Sequence, residues 1–162
     1  MVQLVPMSES DLETYLEQAI RRYAYERIRW NLWHESDAQS KAQLVFDERL
    51  PQGLATPNNH LYRIIRDNNE ETLLIGYLWF AVEPHQAIDV AFVYDIVIDS
   101  TYRRRGYGRD AFRLLEEKVR EHGLDTIFLN VFGDNHEARA MYESLGYAAA
   151  NLRMIKKISD TE

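Results

Sequence analysis

The sequence has 162 residues, of which 46% are hydrophobic and 28% charged, so it excludes disordered, collagen-like and low-complexity classes and fits one globular domain over residues 1–162. Its net charge of −7 disfavours nucleic acid and membrane surfaces as partners, and the absence of cysteine excludes disulfides and thiol nucleophiles. Because no apolar run approaches the ~20 residues of a bilayer span and no secretion signal opens the chain, we expect a cytoplasmic protein.

The first predicted elements are a strand over residues 2–7 and a helix that runs to about Arg29. Ser10 and Glu13 have the spacing of a capping box at the start of this helix. Apolar residues then recur at i, i+3, i+4 and i+7, which is the pattern of one buried helical face.

A second helix is predicted from the capping-box pair Ser36 and Gln39 to the breaker Pro51. Three strands follow, over residues 61–66, 73–82 and 87–98. Residues 67–71 form the first connecting turn, and Pro84 is expected to break the chain at the second.

The rest of the chain alternates strand, helix, strand and helix, which predicts a parallel strand pair joined by a crossover helix. The predicted elements are a helix around residues 111–119 capped by Gly123, a strand over 126–132, a helix capped by Asp134 or Asn135 and ended by Gly146, and a closing strand or hairpin over about 147–158. Only the last four residues are expected to be frayed.

The segment after the third long strand contradicts the global charge. Residues 103–113 contain five arginines and one aspartate, a local charge of +4. Gly106 and Gly108 lie at the predicted start of a helix, where unpaired N–H groups and the helix dipole attract anions and glycine allows close approach. Arginines on a solvated face are the alternative, but the location at the carboxyl end of a strand favours a pyrophosphate cradle.

Two other phosphate-binding motifs fit poorly. The chain has no Gly-Lys-Ser/Thr sequence, which excludes a P-loop. Gly106, Gly108 and Ala111 satisfy a relaxed dinucleotide fingerprint, yet seven residues separate them from the strand. Asp125 also lies at the wrong end of the next strand, so NAD is disfavoured.

Two linked motifs carry a resemblance to a known family. The chain reads Arg103-x-x-Gly106-x-Gly108 and, further on, Asn135-x-x-Ala138-x-x-x-Tyr142 followed by Gly146-Tyr147. Over residues 92–147 this resembles the GCN5-related N-acetyltransferases (GNAT), specifically small bacterial members. The resemblance implies an α+β, three-layer fold with a mixed, mostly antiparallel sheet, in which a central parallel strand pair splays apart between flanking helices.

The resemblance further implies that acetyl-CoA is the cofactor. Its pyrophosphate would lie on backbone N–H groups at the arginine-rich segment, and its pantetheine arm would pair with the central strand. The cofactor-binding residues implied are Ile96, Val97, Ile98, Arg103, Arg104, Arg105, Gly106, Tyr107, Gly108, Arg109 and Asn135.

The implied reaction is direct attack of an amine on the thioester. Tyr142 matches the family position that protonates the leaving sulfur, and a phenol keeps its proton at neutral pH. The resemblance implies a glutamate as the base, which some relatives place where Tyr94 stands and others place in the next strand, where Asn130 or a neighbour stands; this chain departs from both patterns. Asp95 is the nearest carboxylate; it either relays a proton or only hydrogen-bonds backbone where the strands splay, and both roles stay open.

The expected acceptor is a small-molecule or peptide amine, with no nucleic-acid or membrane partner, no metal site and a possible homodimer. Two alternatives remain: a non-catalytic CoA-binding module, and an acyltransferase that uses another acyl group or acceptor. The turn between the first two helices, around residues 30–35, is expected to line the acceptor pocket. Tyr77, Trp79 and Phe80 are expected either to wall the pocket or to pack in the core.

Overall fold

The computed structural model describes residues 1–68 and 71–158. Part of the predicted turn over residues 67–71 and the last four residues, which were expected to be frayed, lie outside the described residues. The elements follow in this order: β1 (Val2–Pro6), α1 (Glu9–Arg29), α2 (Glu35–Arg49), β2 (Asn59–Asp67), β3 (Thr72–His85), β4 (Ile88–Ile98), α3 (Tyr107–Glu121), β5 (Ile127–Leu129) and α4 (His136–Ser144), with short 3-10 turns at Gly53–Ala55 and Ser100–Tyr102.

The strands form one mixed sheet with the order β1-β2-β3-β4-β5. Each strand from β1 to β4 pairs antiparallel with the next, whereas β4 and β5 pair parallel. The predicted mixed, mostly antiparallel sheet with one parallel pair is therefore confirmed.

Helices cover both faces of this sheet. The side chains of β3 show this, because they alternate in direction along the strand and contact helices on either side. Tyr77 and Trp79 point to one face and join a buried cluster with residues of α1 and α2 such as Tyr15 and Phe46. Phe80 points to the other face, where its ring centroid lies 6.0 Å from that of His122 at the end of α3. These three layers confirm the expected α+β architecture.

Both predicted helix starts were misplaced. The N-cap of α1 is Ser8, whose side chain forms the capping box with Asp11, in place of the predicted Ser10 and Glu13. Ser8 and Asp11 have the same spacing, and the chain turns there because Met7 still donates its N–H to Leu61 of β2. Helix α2 begins without a side-chain cap at His34, so the predicted second capping box is wrong.

Pro84 does not break the chain but lies inside β3, opposite Asp89 of β4. The pairing of β3 with β2 ends at Ala81, so beyond that point β3 has a strand partner only on its β4 side. A proline is tolerated at such an edge because its missing N–H removes no ladder hydrogen bond. The true turn follows at Gln86, which has a positive φ of 56°.

The C-terminal part of the chain contains less strand than predicted. Strand β5 has only three residues, and none of residues 147–158 is in a strand, so the expected closing hairpin is wrong. Residues 148–150 are all alanine, which has a low preference for strands. Asn135, one of the two predicted caps, is the N-cap of α4 and accepts a hydrogen bond from the N–H of Ala138.

The chain divides into two compact units, Met1–Asn130 and Val131–Glu162. The first contains the whole sheet with α1, α2 and α3, and the second contains α4. The single-domain interpretation of the sequence stays a prediction. No helix in the described ranges is both long enough and apolar enough to span a bilayer.

Candidate functional site

The central strand β4 separates from β5 halfway along its length. The parallel ladder joins Ala91, Phe92 and Val93 to β5 and ends there. Among the described residues, 95–98 pair with β3 alone. The predicted pantetheine-binding residues Ile96, Val97 and Ile98 all lie in this section, whose β5-facing edge can pair with an extended ligand as an added strand would.

A β-bulge marks the point of separation. Trp79 of β3 lies opposite Asp95, and the next residue, Phe80, lies opposite Val93, so Tyr94 is an extra residue in β4. A bulge interrupts the alternation of side chains. Tyr94 and Asp95 consequently both contact residues on the α1/α2 face, where neighbours in a regular strand would point to opposite faces.

Asp95 binds two side chains of α1. Its carboxylate accepts a hydrogen bond from the Tyr15 hydroxyl at 2.9 Å and forms an ion pair with Arg22 at 2.6 Å. Burial raises the pKa of Asp95, and the Arg22 charge and the hydrogen bonds offset part of that rise. These contacts attach α1 to the bulge and support a structural role for Asp95; the proton-relay role stays a prediction.

Tyr94 has a second carboxylate as its partner. Its hydroxyl donates a hydrogen bond to Glu83 of β3, its ring stacks on Trp79 at 4.6 Å, and the Arg49 guanidinium lies 4.6 Å from the ring centroid. Burial and the Glu83 carboxylate raise the pKa of Tyr94 to about 12, so the phenol keeps its proton. Sequence analysis missed Glu83 because a turn, rather than a strand, was expected at Pro84.

The arginine-rich segment forms the start of α3, immediately after β4. Gly106 is the residue before the helix and has a φ of +83°, a conformation that favours glycine. Arg103, Arg104 and Arg105 are exposed, and Arg103 donates from Nε to the carbonyl of Ile98 at 2.9 Å. The first N–H groups of a helix have no partner within it, so this terminus combines amide donors with exposed cations.

The residues present therefore fit an anionic ligand with an extended arm. The start of α3 contains the predicted Tyr107, Gly108 and Arg109, which are only partly exposed. The 3-10 turn Ser100–Tyr102 and residues 103–106 join this terminus to the section of β4 that has no β5 partner. One molecule with a phosphate group and an extended chain could contact both.

Tyr142 and Asn135 belong to the second unit, in and before α4. Gly146 has a φ of +93° and ends the helix, with its N–H bound to Glu143. The N–H of Tyr147 donates to the carbonyl of Tyr142 at 3.0 Å, and the two rings lie 5.8 Å apart. This pair of hydrogen bonds is a Schellman motif, which explains why a glycine and an aromatic residue follow Tyr142.

The aromatic residues expected near an acceptor pocket separate into two groups. Tyr77, Trp79 and Phe80 are buried, which supports core packing for all three. In the turn between α1 and α2, Trp33 is half-buried against the ring of Tyr23, while His34 is exposed. The turn residues are the more exposed of the two groups, and an acceptor pocket lined by them stays a prediction.

Comparison with known proteins gives a consistent result. The sequence model of the Acetyltransferase (GNAT) family matches residues 12–147. The N-acetyltransferase YycN of Bacillus subtilis, itself uncharacterised, is 32% identical over 97% of this chain and 99% of its own length. The crystal structure of YycN has a TM-score of 0.90 and covers 99% of this chain and 100% of that one.

Two further matches are more distant. The ribosomal protein bS18-alanine N-acetyltransferase of Escherichia coli is 36% identical over 66 residues, which are 41% of this chain and 45% of that enzyme. An acetyltransferase crystallised with acetyl-CoA from Clostridium acetobutylicum has a TM-score of 0.66 at 14% identity, covering 97% of this chain and 96% of that one. The latter shows a common fold.

Proposed function

Because the chain belongs to the GNAT acetyltransferase family, we propose that it transfers the acetyl group of acetyl-CoA to a primary amine of a small molecule or peptide. One observation carries the proposal. The central strand leaves its parallel partner after Val93 and continues, unpaired on that side, to the arginine-rich start of α3. This arrangement suits a ligand with a peptide-like arm and a pyrophosphate.

The residues that would hold acetyl-CoA follow from this arrangement. Backbone groups of residues 96–98 would bind the pantetheine arm, and the amides and arginines of residues 103–109 would bind the pyrophosphate. Bound there, acetyl-CoA supplies an acetyl thioester, whose C–S bond breaks as the C–N bond to the amine forms.

Tyr142 is proposed as the acid that protonates the leaving thiolate. A phenol has an ordinary pKa near ~10 and so carries the required proton at neutral pH. The Schellman motif at Gly146 supports the proposal because it holds the end of α4, and with it Tyr142, in one conformation. Asn135 caps the same helix. It is proposed to contribute to cofactor binding by ordering the residues at the start of α4.

The acceptor is proposed at the level of a chemical class. A relative that matches part of this chain acetylates the alanine of a ribosomal protein, which supports a peptide N-terminus as one candidate. Small-molecule amines are the other candidate. In both cases the amine is protonated at neutral pH and must lose a proton before it attacks.

The first experiment compares the melting temperature of the protein with acetyl-CoA, CoA and NAD. A ligand at about 100 times its Kd adds about 2.7 kcal/mol of stability. For a chain of this size that corresponds to roughly 5–11 °C. Stabilisation by both CoA forms and not by NAD is expected; stabilisation by none of them contradicts the proposed cradle.

The second experiment measures acetyl transfer to a panel of amines: a polyamine, an aminoglycoside, free amino acids and short peptides with a free N-terminus. Released CoA can be followed with a thiol reagent without background from the protein, because the chain contains no cysteine. Transfer to at least one amine is expected. Binding of acetyl-CoA without transfer to any amine favours the non-catalytic CoA-binding module instead.

Location and assembly are two further proposals. The resemblance to bacterial acetyltransferases supports a cytoplasmic location, and cell fractionation tests it. A homodimer is the second proposal, and light scattering on the purified protein distinguishes it from a monomer.

A further inference from the structure

The family resemblance implies a proton-accepting glutamate at one of two strand positions, and this chain has none at either. Tyr94 stands at one position and Asn130 at the other. An acceptor amine still has to lose a proton, because its pKa of about 10.4 keeps it charged at neutral pH. A base or a water relay at the site must therefore remove that proton.

The structure delivers a carboxylate to Tyr94 from the neighbouring strand. Glu83 lies opposite Val90 in the β3–β4 ladder and is two residues beyond Ala81 on the same face as Trp79. Glu83 lies in the strand because β3 does not end before Pro84. A proline is tolerated at this edge, where no backbone N–H is needed for pairing. The Tyr94 hydroxyl donates to Glu83 Oε1.

The Tyr94 side chain is held in this orientation by its neighbours. Its ring contacts the Trp79 indole and the Arg49 guanidinium, each 4.6 Å from the ring centroid. The backbone of Tyr94 is the bulge itself, next to the end of the β4–β5 ladder at Val93. The backbone of Tyr94 therefore lies beside the start of the section of β4 that has no β5 partner, and its hydroxyl is directed to Glu83, opposite Val90.

Asp95 is less suited to the same task. Its carboxylate already binds the Tyr15 hydroxyl and forms an ion pair with Arg22. Protonating it would break that ion pair and release α1 from the bulge. Glu83, in contrast, has no cation within ion-pair distance among the described residues, and its hydrogen-bond partner is the neutral phenol of Tyr94.

We propose that Tyr94 and Glu83 act as one proton-accepting pair for the acceptor amine. The ammonium group gives a proton to the Tyr94 oxygen while the Tyr94 hydroxyl gives its own proton to Glu83. The amine becomes neutral, Tyr94 is unchanged, and Glu83 is left as a carboxylic acid that loses its proton to solvent after the reaction. Tyr94 touches the amine, and Glu83 acts through it. The inference rests on the proposed function.

Several charged or titratable groups face this pair and enter its pH dependence. Arg49 comes from α2, and the Asp95–Arg22 ion pair lies beside it. Among the described residues, Arg49 lies against the rings of Tyr94 and of Tyr23 in α1, and Asp95, next to Tyr94 in β4, binds Tyr15 and Arg22 of α1. Among these groups, Glu83 is the one that accepts the hydrogen bond of the Tyr94 hydroxyl, so its removal is the most specific test.

The test measures kcat/KM against pH for Glu83→Gln and Tyr94→Phe, with the amine that the panel identifies. Gln keeps an oxygen for the Tyr94 hydroxyl but does not accept a proton. Both variants are expected to lose about 10²–10⁴-fold in kcat/KM near neutral pH. The loss should shrink as the pH rises towards the pKa of the amine, about 10.4 for an alkyl amine and about 8 for a peptide N-terminus, because a growing fraction of the amine is then deprotonated. The double variant should be no worse than either single variant, because the two residues act as a unit.

Three controls make the result decisive. Glu48→Gln removes an exposed carboxylate of α2 and should leave the rate unchanged. The acetyl-CoA melting shift of each variant reports whether the fold and the cradle are intact. Asp95→Asn should lower stability without any recovery of the rate at high pH.

Each contrary outcome overturns the pairing in a recognisable way. A wild-type rate in Glu83→Gln, or a loss equal at every pH, shows a structural role only. Recovery at high pH in Asp95→Asn moves the proton acceptor to Asp95. A wild-type protein that binds acetyl-CoA but acetylates no amine fails before any variant is compared, and that result contradicts the proposed function itself.

Discussion

Replacing Gly76 by alanine should damage the protein at the section of β4 that is proposed to bind pantetheine. Gly76 lies opposite Ile98 in the β3–β4 ladder. A Cβ at this position would lie 2.0 Å from the Val97 carbonyl oxygen, 3.1 Å from the Val97 carbonyl carbon and 3.2 Å from Ile98 Cα. All three atoms are backbone, so no side chain can rotate away. The two strands must move apart or bend.

The size of the effect follows from two opposing terms. Overpacking costs about 1–3 kcal/mol, and a backbone obstacle puts Gly76→Ala at the upper end. The loss of chain freedom in the unfolded state returns about 0.4–1 kcal/mol. A net loss of about 2 kcal/mol lowers the folding equilibrium constant by roughly 30-fold. The melting temperature should fall by about 4–8 °C.

Urea unfolding and the acetyl-CoA melting shift measure the two consequences separately. We expect Gly76→Ala to lower the urea midpoint and also to reduce the acetyl-CoA melting shift. Both follow because the added Cβ displaces the backbone of Val97. Gly133→Ala is the matched control, because no atom lies within 4 Å of its added Cβ. A Gly76→Ala protein within about 0.5 kcal/mol of the wild type would refute the close approach of the two strands.

Three further predictions concern the cradle, the acid and a histidine pair. Gly108→Val should abolish the acetyl-CoA melting shift by blocking approach to the helix terminus, while urea unfolding stays close to wild type because valine is no worse than glycine in a helix. Tyr142→Phe should lower acetyl transfer about 10²-fold or more with little change in acetyl-CoA affinity measured by calorimetry, and an unchanged rate removes Tyr142 from the acid role. The ring centroids of His60 and His122 lie 4.2 Å apart. Burial, and to a smaller extent the electrostatic effect of His122, lowers the pKa of His60. Its contribution to stability is therefore present above the ordinary value of about 6.5 and is lost as the pH falls through the lowered pKa, by at most about 1.4 kcal/mol per pH unit. His60→Gln should flatten the urea midpoint over that range, and an equal slope in both proteins contradicts this assignment.

The order and type of most elements could be predicted because local patterns determine them. The buried run around Trp79 and the apolar stripe of α1 each follow one period over many residues. Exact starts depended on tertiary contacts instead. Ser8 and Ser10 both precede an acidic residue by three positions, and the bond from Met7 to β2 decides between them.

The chemistry of the site was harder to predict than the fold. A regular strand would place Tyr94 and Asp95 on opposite faces, and one-residue alternation gives no sign of a bulge. The bulge is visible only in the pairing of β3 with β4, where the consecutive residues Trp79 and Phe80 lie opposite Asp95 and Val93, which leaves the residue between those two without a partner in β3. The same pairing reveals Glu83, whose neighbour Pro84 indicates a turn when only the sequence is considered.

The local geometry that is proposed as the cradle could be predicted because it depends on a few consecutive residues. The positive φ of Gly106, the start of α3 and the exposed arginines all follow from residue types that occupy neighbouring positions. The proposed proton acceptor, in contrast, needs Glu83 and Tyr94, eleven positions apart and on different strands. A candidate binding site made by one turn can therefore be predicted from a sequence motif. A proposed reacting group assembled across a bulge depends on strand register instead, and register is a property of the folded sheet.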